Sequence, residues 1–254
     1  MLQTTAKEVW ILTTSRKLVT LSFDFYEDTY EQNLQKLIEG IEKSPQNSII
    51  LAPELCLTNF SFSKMQEASD FGQKALEKLK ELSKDKIISF SLTTKRENSF
   101  FNTAVLLHDK KIAYQRDKYK LFKFGDEDKY FQEGFEKDVK IVEIDGIRFG
   151  ILICFEIRFI ELWKKLQGVD VLLVPALWGV LRKKQLETIS NSLGVINQCY
   201  VLVANSKNSD MADSSAIITP FGESLRDDLT SYLEMDFNKK EIKKMRRYMD
   251  VGIR

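Results

Sequence analysis

What most constrains the fold of this chain is an alternation. Short β-rich apolar runs are separated by stretches in which apolar residues return at helical spacing. Lys17–Phe25 is β-rich, and Leu34, Leu37, Ile38 and Ile41 then mark one face of a helix. Ser48–Ala52 is a short apolar run halted by Pro53, and Phe71, Ala75, Leu79 and Leu82 predict a second helix across 65–83. A strand is expected at Ile87–Leu92. Ala104–Leu107 and Ile112–Tyr114 predict a hairpin around His108-Asp109-Lys110-Lys111, and Val139–Ile144 with Ile147–Ile153 a second, turned at Asp145-Gly146. Arg158–Leu166 reads as a helix and Val171–Val174 as a buried strand stopped by Pro175. Leu186, Ile189, Leu193 and Ile196 mark a further helix, followed by a strand at Tyr200–Ala204. Hairpins together with βα alternation predict a mixed sheet layered with helices. No Pro/Gly/Ser-rich linker and no internal repeat divides the chain, so one continuous α/β domain is expected over residues 1–254, with 1–16 as an N-terminal extension.

Composition narrows the chemistry. The single histidine, His108, excludes zinc sites built on two or three His, and its place in a polar hairpin tip predicts a solvated side chain. A net charge of +1 supplies no general attraction to nucleic acid or to an anionic membrane. The basic run Lys239, Lys240, Lys243, Lys244, Arg246 and Arg247 is interrupted by Glu241 and reads as a solvated helix near the C-terminus. Cys56, Cys154 and Cys199 form no C-x-x-C pair, and their odd number argues against a disulfide framework and for a reducing compartment. No secretory signal pattern opens the chain and no apolar run is long enough to span a bilayer. A soluble cytoplasmic protein is therefore expected, with neither nucleic acid nor membrane as partner. The Rossmann, P-loop and G-x-S-x-G motifs are absent.

Two residues stand out by context. Cys154 follows the apolar run Phe149–Ile153 and precedes Arg158–Leu162. A thiol at a strand-to-helix junction lies near helix N-terminal N–H groups, which would lower its pKa. A buried structural cysteine has the same local signature. Glu54 ends the apolar run Leu51-Ala52-Pro53, where a general base or a plain loop acid both fit. Lys118, in the charged stretch Arg116–Phe122, reads in isolation as surface.

Taken jointly these residues say more. In order come Pro53-Glu54, Asp117-Lys118-Tyr119-Lys120-Leu121-Phe122, Glu127–Gly134, and Gly150-Ile151-Leu152-Ile153-Cys154-Phe155-Glu156-Ile157-Arg158-Phe159. They are followed by Val174-Pro175-Ala176-Leu177-Trp178, Asn197–Val201, Ala204-Asn205 and Ser215–Gly222. In order and spacing this series resembles the nitrilase superfamily of carbon–nitrogen hydrolases, and the amidase and omega-amidase branch more than the nitrile-hydrolysing one. The resemblance implies a four-layer αββα sandwich. It implies Glu54 as general base, Lys118 as electrostatic stabiliser, Cys154 as nucleophile and Glu127 as a supporting glutamate. Phe155, through its backbone N–H, and Trp178 are implied at the oxyanion and substrate site. Also implied are hydrolysis of a small linear amide through a Cys154 thioester, no metal or organic cofactor, and a homodimer or larger homo-oligomer. Ureido acids are the rival substrate class, and a catalytically silent binding protein on the same fold is the rival kind of function.

Overall fold

The computed structural model describes residues 16–26 and 28–253, so the extension expected over 1–16 lies, except for Arg16, outside the described residues. The first half of the chain runs β1 (Lys17–Leu21), α1 (Tyr30–Lys43), β2 (Ser48–Leu51), α2 (Met65–Leu82), β3 (Ile87–Arg96), β4 (Ser99–His108) and β5 (Lys111–Asp117). A short helix α3 (Glu127–Tyr130) leads into β6 (Val142–Ile144), β7 (Ile147–Ile151), α4 (Ile160–Lys165), β8 (Val171–Pro175), α5 (Lys183–Asn197) and β9 (Tyr200–Ala204). The chain closes with β10 (Ala216–Ile218), β11 (Ser224–Leu225), β12 (Tyr232–Asp236) and α6 (Lys239–Tyr248).

These strands form two six-stranded sheets, ordered β12-β1-β2-β3-β4-β5 and β11-β10-β9-β8-β7-β6. Each sheet has the same centre. β1, β2 and β3 are parallel and connected through α1 and α2; β7, β8 and β9 are parallel and connected through α4 and α5. Side-chain alternation explains the layering. Val19, Ile50, Ile88, Phe90 and Val105 pack against Leu34, Leu37 and Ile41 of α1 and Ala75 and Leu79 of α2. Their neighbours Leu18, Ile49, Leu51, Ala104 and Leu106 face the other way, onto Phe149, Ile151, Val171, Leu173 and Leu202 of the second sheet. Leu162, Leu186 and Leu193 of α4 and α5 join that core from the far side. The result is the expected αββα sandwich. Each fully buried Leu, Ile or Phe in these layers contributes roughly 1.5–3 kcal/mol by leaving water.

Local rules account for the elements. Helix α1 starts on a capping box, with the Thr29 hydroxyl accepting from the Gln32 N–H and the Gln32 side chain accepting from the Thr29 N–H. The inward face of β3 carries Ser89, Ser91 and Thr93, all buried, and this polar stripe points towards the site described next. The helix expected over 158–166 is shorter: a 3₁₀ turn covers Cys154–Arg158, and α4 runs only from Ile160 to Lys165. His108 is not the solvated tip expected. Its Nδ1 lies 3.1 Å from the Lys86 carbonyl and its Nε2 3.3 Å from Asp145, because the β6–β7 turn of the other sheet closes over the end of β4. Among the described residues no helix is long and apolar enough to cross a membrane, and all three cysteines are free.

Candidate active site

The two sheets bring matching strand ends together. Glu54 stands three residues beyond the end of β2, Cys154 three beyond the end of β7, and Lys118 directly after β5. The carboxyl ends of parallel strands are where α/β sheets gather reactive groups. The Glu54 N–H donates to the Ala176 carbonyl, joining one sheet to the other beside the site. Leu55 and Cys154 both take left-handed backbone conformations, at φ 49° and 51°. Such a conformation costs a non-glycine residue of order 1 kcal/mol or more and persists only where surroundings enforce it. Here it turns the Cys154 side chain out of the strand direction, with Sγ accepting from the Leu177 N–H at 3.5 Å.

Lys118 is fully buried between two carboxylates. Its ammonium donates to Glu54 Oε1 at 2.7 Å and to Glu127 Oε1 at 2.8 Å. Asn102 Nδ2 also donates to Glu54 Oε1, at 2.8 Å, and the Phe122 N–H to Glu127 Oε2, at 3.0 Å. The other Glu54 oxygen, Oε2, is buried with no hydrogen-bond partner among the described residues. A buried acceptor left open in this way is costly, and at a reaction centre it is the atom available to take a proton.

Charge follows from this packing. Burial alone would lower the Lys118 ammonium, but Glu127 and Glu54 outweigh it and hold Lys118 above an ordinary lysine. Burial and the nearby Glu54 push Glu127 above the usual carboxylate range against the pull of Lys118. Glu127 therefore keeps its proton more readily than an exposed glutamate. The Cys154 thiol is pushed well up, first by burial and then by Glu54, with Lys118 opposing. This corrects the expectation drawn from its place before a helix. Only a 3₁₀ turn follows it, and desolvation beside an anion outweighs any favourable dipole.

Cys154 opens onto a small cavity of about 30 Å3, walled by Phe122, Phe155, Leu177 and Trp178, with Arg158 and Arg182 at its mouth. The Phe155 ring leans on Phe122 at 5.1 Å and on Phe159 at 5.2 Å. Trp178 is buried under the Arg158 guanidinium, 4.7 Å from its ring, and its indole N–H has no partner among the described residues. Arg182 lies 5.3 Å from the Phe122 ring. All six residues singled out from sequence thus converge here: Glu54, Lys118, Glu127 and Cys154 in one charged cluster, Phe155 and Trp178 in the adjoining wall. Larger grooves elsewhere, such as one of about 550 Å3 beside Lys36, Lys43 and Lys207, lie on the surface away from this cluster.

Sequence reasoning missed Asn102, the two arginines at the mouth, and a buried ion pair between Arg116 and Glu156. Strand parity held one signal. Arg116 shares a face with Lys118 two residues on, so if one is buried the other follows. Among the described residues no cluster of His, Cys, Asp and Glu has the arrangement of a metal site.

The family model for carbon–nitrogen hydrolases matches residues 24–233 of the chain. Over 218 residues the chain is 29% identical to the 2-oxoglutaramate amidase of Bacillus subtilis (strain 168), covering 81% of this chain and 83% of that protein. It is 25% identical over 200 residues to the omega-amidase YafV of Yersinia enterocolitica, covering 76% and 77%. Among solved structures, a CN-hydrolase superfamily protein of Xanthomonas campestris superposes with a TM-score of 0.80 at 18% identity, over 92% of this chain and 94% of that one. Nit3 of Saccharomyces cerevisiae, a nitrilase-superfamily member, superposes with a TM-score of 0.77 at 16% identity, over 94% and 95%.

Proposed function

This chain belongs to the carbon–nitrogen hydrolase family, and we propose that it hydrolyses a small linear amide to a carboxylic acid and ammonia through a thioester on Cys154. The observation that carries this reading is the open, buried Oε2 of Glu54 in the same charged cluster as a protonated thiol. A thiol whose pKa is raised is a poor nucleophile at rest and needs a base at the moment of attack.

Glu54 takes the Cys154 proton as sulfur attacks the amide carbon. The carbonyl π electrons move onto oxygen, where the Lys118 ammonium and the Phe155 N–H balance the charge. Preorganised donors of this kind are worth ~3 kcal/mol each in a dry site. Collapse of the adduct expels the amine, which leaves as ammonia with the proton from Glu54, and the thioester remains. Water then gives a proton to Glu54 and attacks the thioester. The acid departs and sulfur recovers the proton. Glu127, which accepts from the Lys118 ammonium and from the Phe122 N–H, keeps Lys118 in place.

The mouth of the site selects among amides. Arg158 and Arg182 place two guanidiniums beside the thiol, and burial together with Arg182 lowers the Arg158 pKa. Two guanidiniums set side by side favour an anionic substrate group. The relatives named for 2-oxoglutaramate and omega-amides fit a dicarboxylic acid monoamide. Ureido acids also carry a carboxylate and are the competing class. A single domain over 1–254, a cytoplasmic location and a homodimer or larger homo-oligomer complete the proposal. Exposed Ile160, Val195 and Ile196 on α4 and α5 support the last of these.

The test is ammonia release from omega-amides of dicarboxylic acids, neutral amides of equal length, ureido acids and nitriles, with wild type and Cys154→Ala. Omega-amides should be the best substrates and Cys154→Ala should be silent. Release from none of these compounds, or undiminished release by Cys154→Ala, would overturn the reading.

A further inference from the structure

Glu156, two residues past Cys154, lies outside the reacting cluster and is fully buried. Its two carboxylate oxygens divide their partners. Oε1 accepts from the Tyr119 N–H at 2.7 Å, from the Lys120 N–H at 3.4 Å and from Arg116 Nη1 at 3.0 Å. Oε2 accepts from the Ile153 N–H at 2.7 Å and from Arg116 Nη2. One oxygen therefore holds the residue that follows Lys118, and the other holds the residue that precedes Cys154. The Glu156 N–H also donates back to the Ile153 carbonyl at 3.0 Å, closing a ring around Cys154 in its left-handed conformation.

Arg116 completes the link. It is buried on β5, and beyond Glu156 it donates to the Ile151 carbonyl at 2.9 Å and to the Asp117 carbonyl at 3.0 Å. These groups belong to the last residues of β7 and β5, so the pair spans both sheets at the point where each delivers a functional side chain. A buried ion pair is weak evidence for stability, because desolvation offsets most of the attraction. Its value lies in geometry: five donors on one carboxylate leave no freedom to the two backbone segments they come from.

We propose that Glu156, oriented by Arg116, is a positioning residue that sets the distance and orientation of Lys118 relative to Cys154. The proposal rests on the reading of Lys118 and Cys154 as the electrostatic stabiliser and nucleophile of an amidase. Its effect should fall on steps that need both groups at once: ionisation of the thiol and charge development on the carbonyl oxygen. Substrate affinity, set by the arginines at the mouth, should change little.

Glu156→Gln keeps the size but replaces one acceptor oxygen by a donor that faces a backbone N–H or the guanidinium. Arg116→Lys keeps the charge and loses the bidentate grip. Both variants would be measured as full chains for folding by circular dichroism, for kcat and KM on an omega-amide, and for the pH dependence of Cys154 alkylation by iodoacetamide, followed by intact mass. The proposal expects folded protein, kcat reduced about 100-fold or more, KM within about threefold, and an alkylation profile displaced to higher pH as Lys118 withdraws. Folded variants with kcat near wild type, or a rise in KM at unchanged kcat, would overturn it. If Glu156→Gln does not fold, Arg116→Lys decides alone on the same criteria. Alkylation needs no substrate, so an undisplaced profile refutes positioning even if wild type hydrolyses no amide, which would instead refute the proposed activity.

Discussion

Replacing Lys118 by Met removes an ammonium from between two carboxylates while keeping the length of the side chain. In the wild type that ammonium is fully buried and donates to Glu54 at 2.7 Å and to Glu127 at 2.8 Å. Breaking a buried ion pair from one side costs about 3–5 kcal/mol, because the partner is left charged out of water. Here two carboxylates lose the same partner, and protonation is their escape. Burial and Glu54 already raise Glu127, and only Lys118 and the Phe122 N–H oppose this. Without Lys118 the folded-state Glu127 pKa rises further above the unfolded value of about 4.3. An acid raised in the folded state has its stability fully present below the unfolded value and loses it as pH climbs towards the folded one. Lys118→Met should therefore be less stable than wild type by about 3–5 kcal/mol at pH 8, and by at least ~1 kcal/mol less than that at pH 5.5. Urea unfolding followed by circular dichroism at the two pH values measures both deficits. Equal deficits, or none at pH 8, would refute the account of a lysine holding two buried carboxylates.

Three other changes probe different parts of the structure. Arg182→Ala should raise KM for an omega-amide about 10-fold or more and leave a neutral amide of equal length unaffected, the scale of one charge-assisted hydrogen bond; an equal effect on both would remove Arg182 from substrate recognition. Gly134→Ala puts a Cβ 2.6 Å from the Asp117 carbonyl oxygen, while the Gly134 N–H holds the Lys118 carbonyl at 2.8 Å. Calorimetry should show a loss of about 1–3 kcal/mol, and kcat should fall with it because Lys118 shifts. Burial pushes the Cys199 thiol up to about 12, so the stability tied to its proton is complete below pH ~8.5 and is lost as pH rises from there towards about 12. Cys199→Ala should flatten the fall in stability between about pH 9 and 10.5 by up to ~1.4 kcal/mol per pH unit, and an unchanged slope would show that this thiol ionises normally.

Much of the architecture was legible because each half of the chain contains a βαβαβ unit, with apolar strands, Pro53 and Pro175 at or just past the ends of two of them, and amphipathic helices between them. Strand boundaries were less so. β3 and β4 run to Arg96 and from Ser99, through Thr94, Lys95 and Asn102, because ladder pairing across a tight hairpin holds polar residues that no hydrophobic pattern marks. β10 and β11 are only three and two residues long, too short to show periodicity. For the site, the resemblance of the motif series to a known family brought Glu54, Lys118, Glu127 and Cys154 together from distant parts of the chain, where each residue alone left its role open. The Arg116–Glu156 pair stayed hidden because a charged residue in sequence resembles solvated surface, and only the meeting of two sheets buries it. The same meeting explains His108, whose partner Asp145 comes from the other sheet, and Cys154, whose thiol is raised by burial and by Glu54, 100 residues earlier in the chain.

In the proposed reaction Cys154 carries the acyl group while Glu54 moves the proton. Rapid mixing of enzyme with an omega-amide, quenching in acid and weighing the intact chain tests it most directly. The account predicts a Cys154-bound acyl adduct, formed with one ammonia per site, that is lost in Cys154→Ala and forms far more slowly in Glu54→Gln. Turnover with the acyl group never found on Cys154, or an adduct that forms as fast in Glu54→Gln as in wild type, would contradict it.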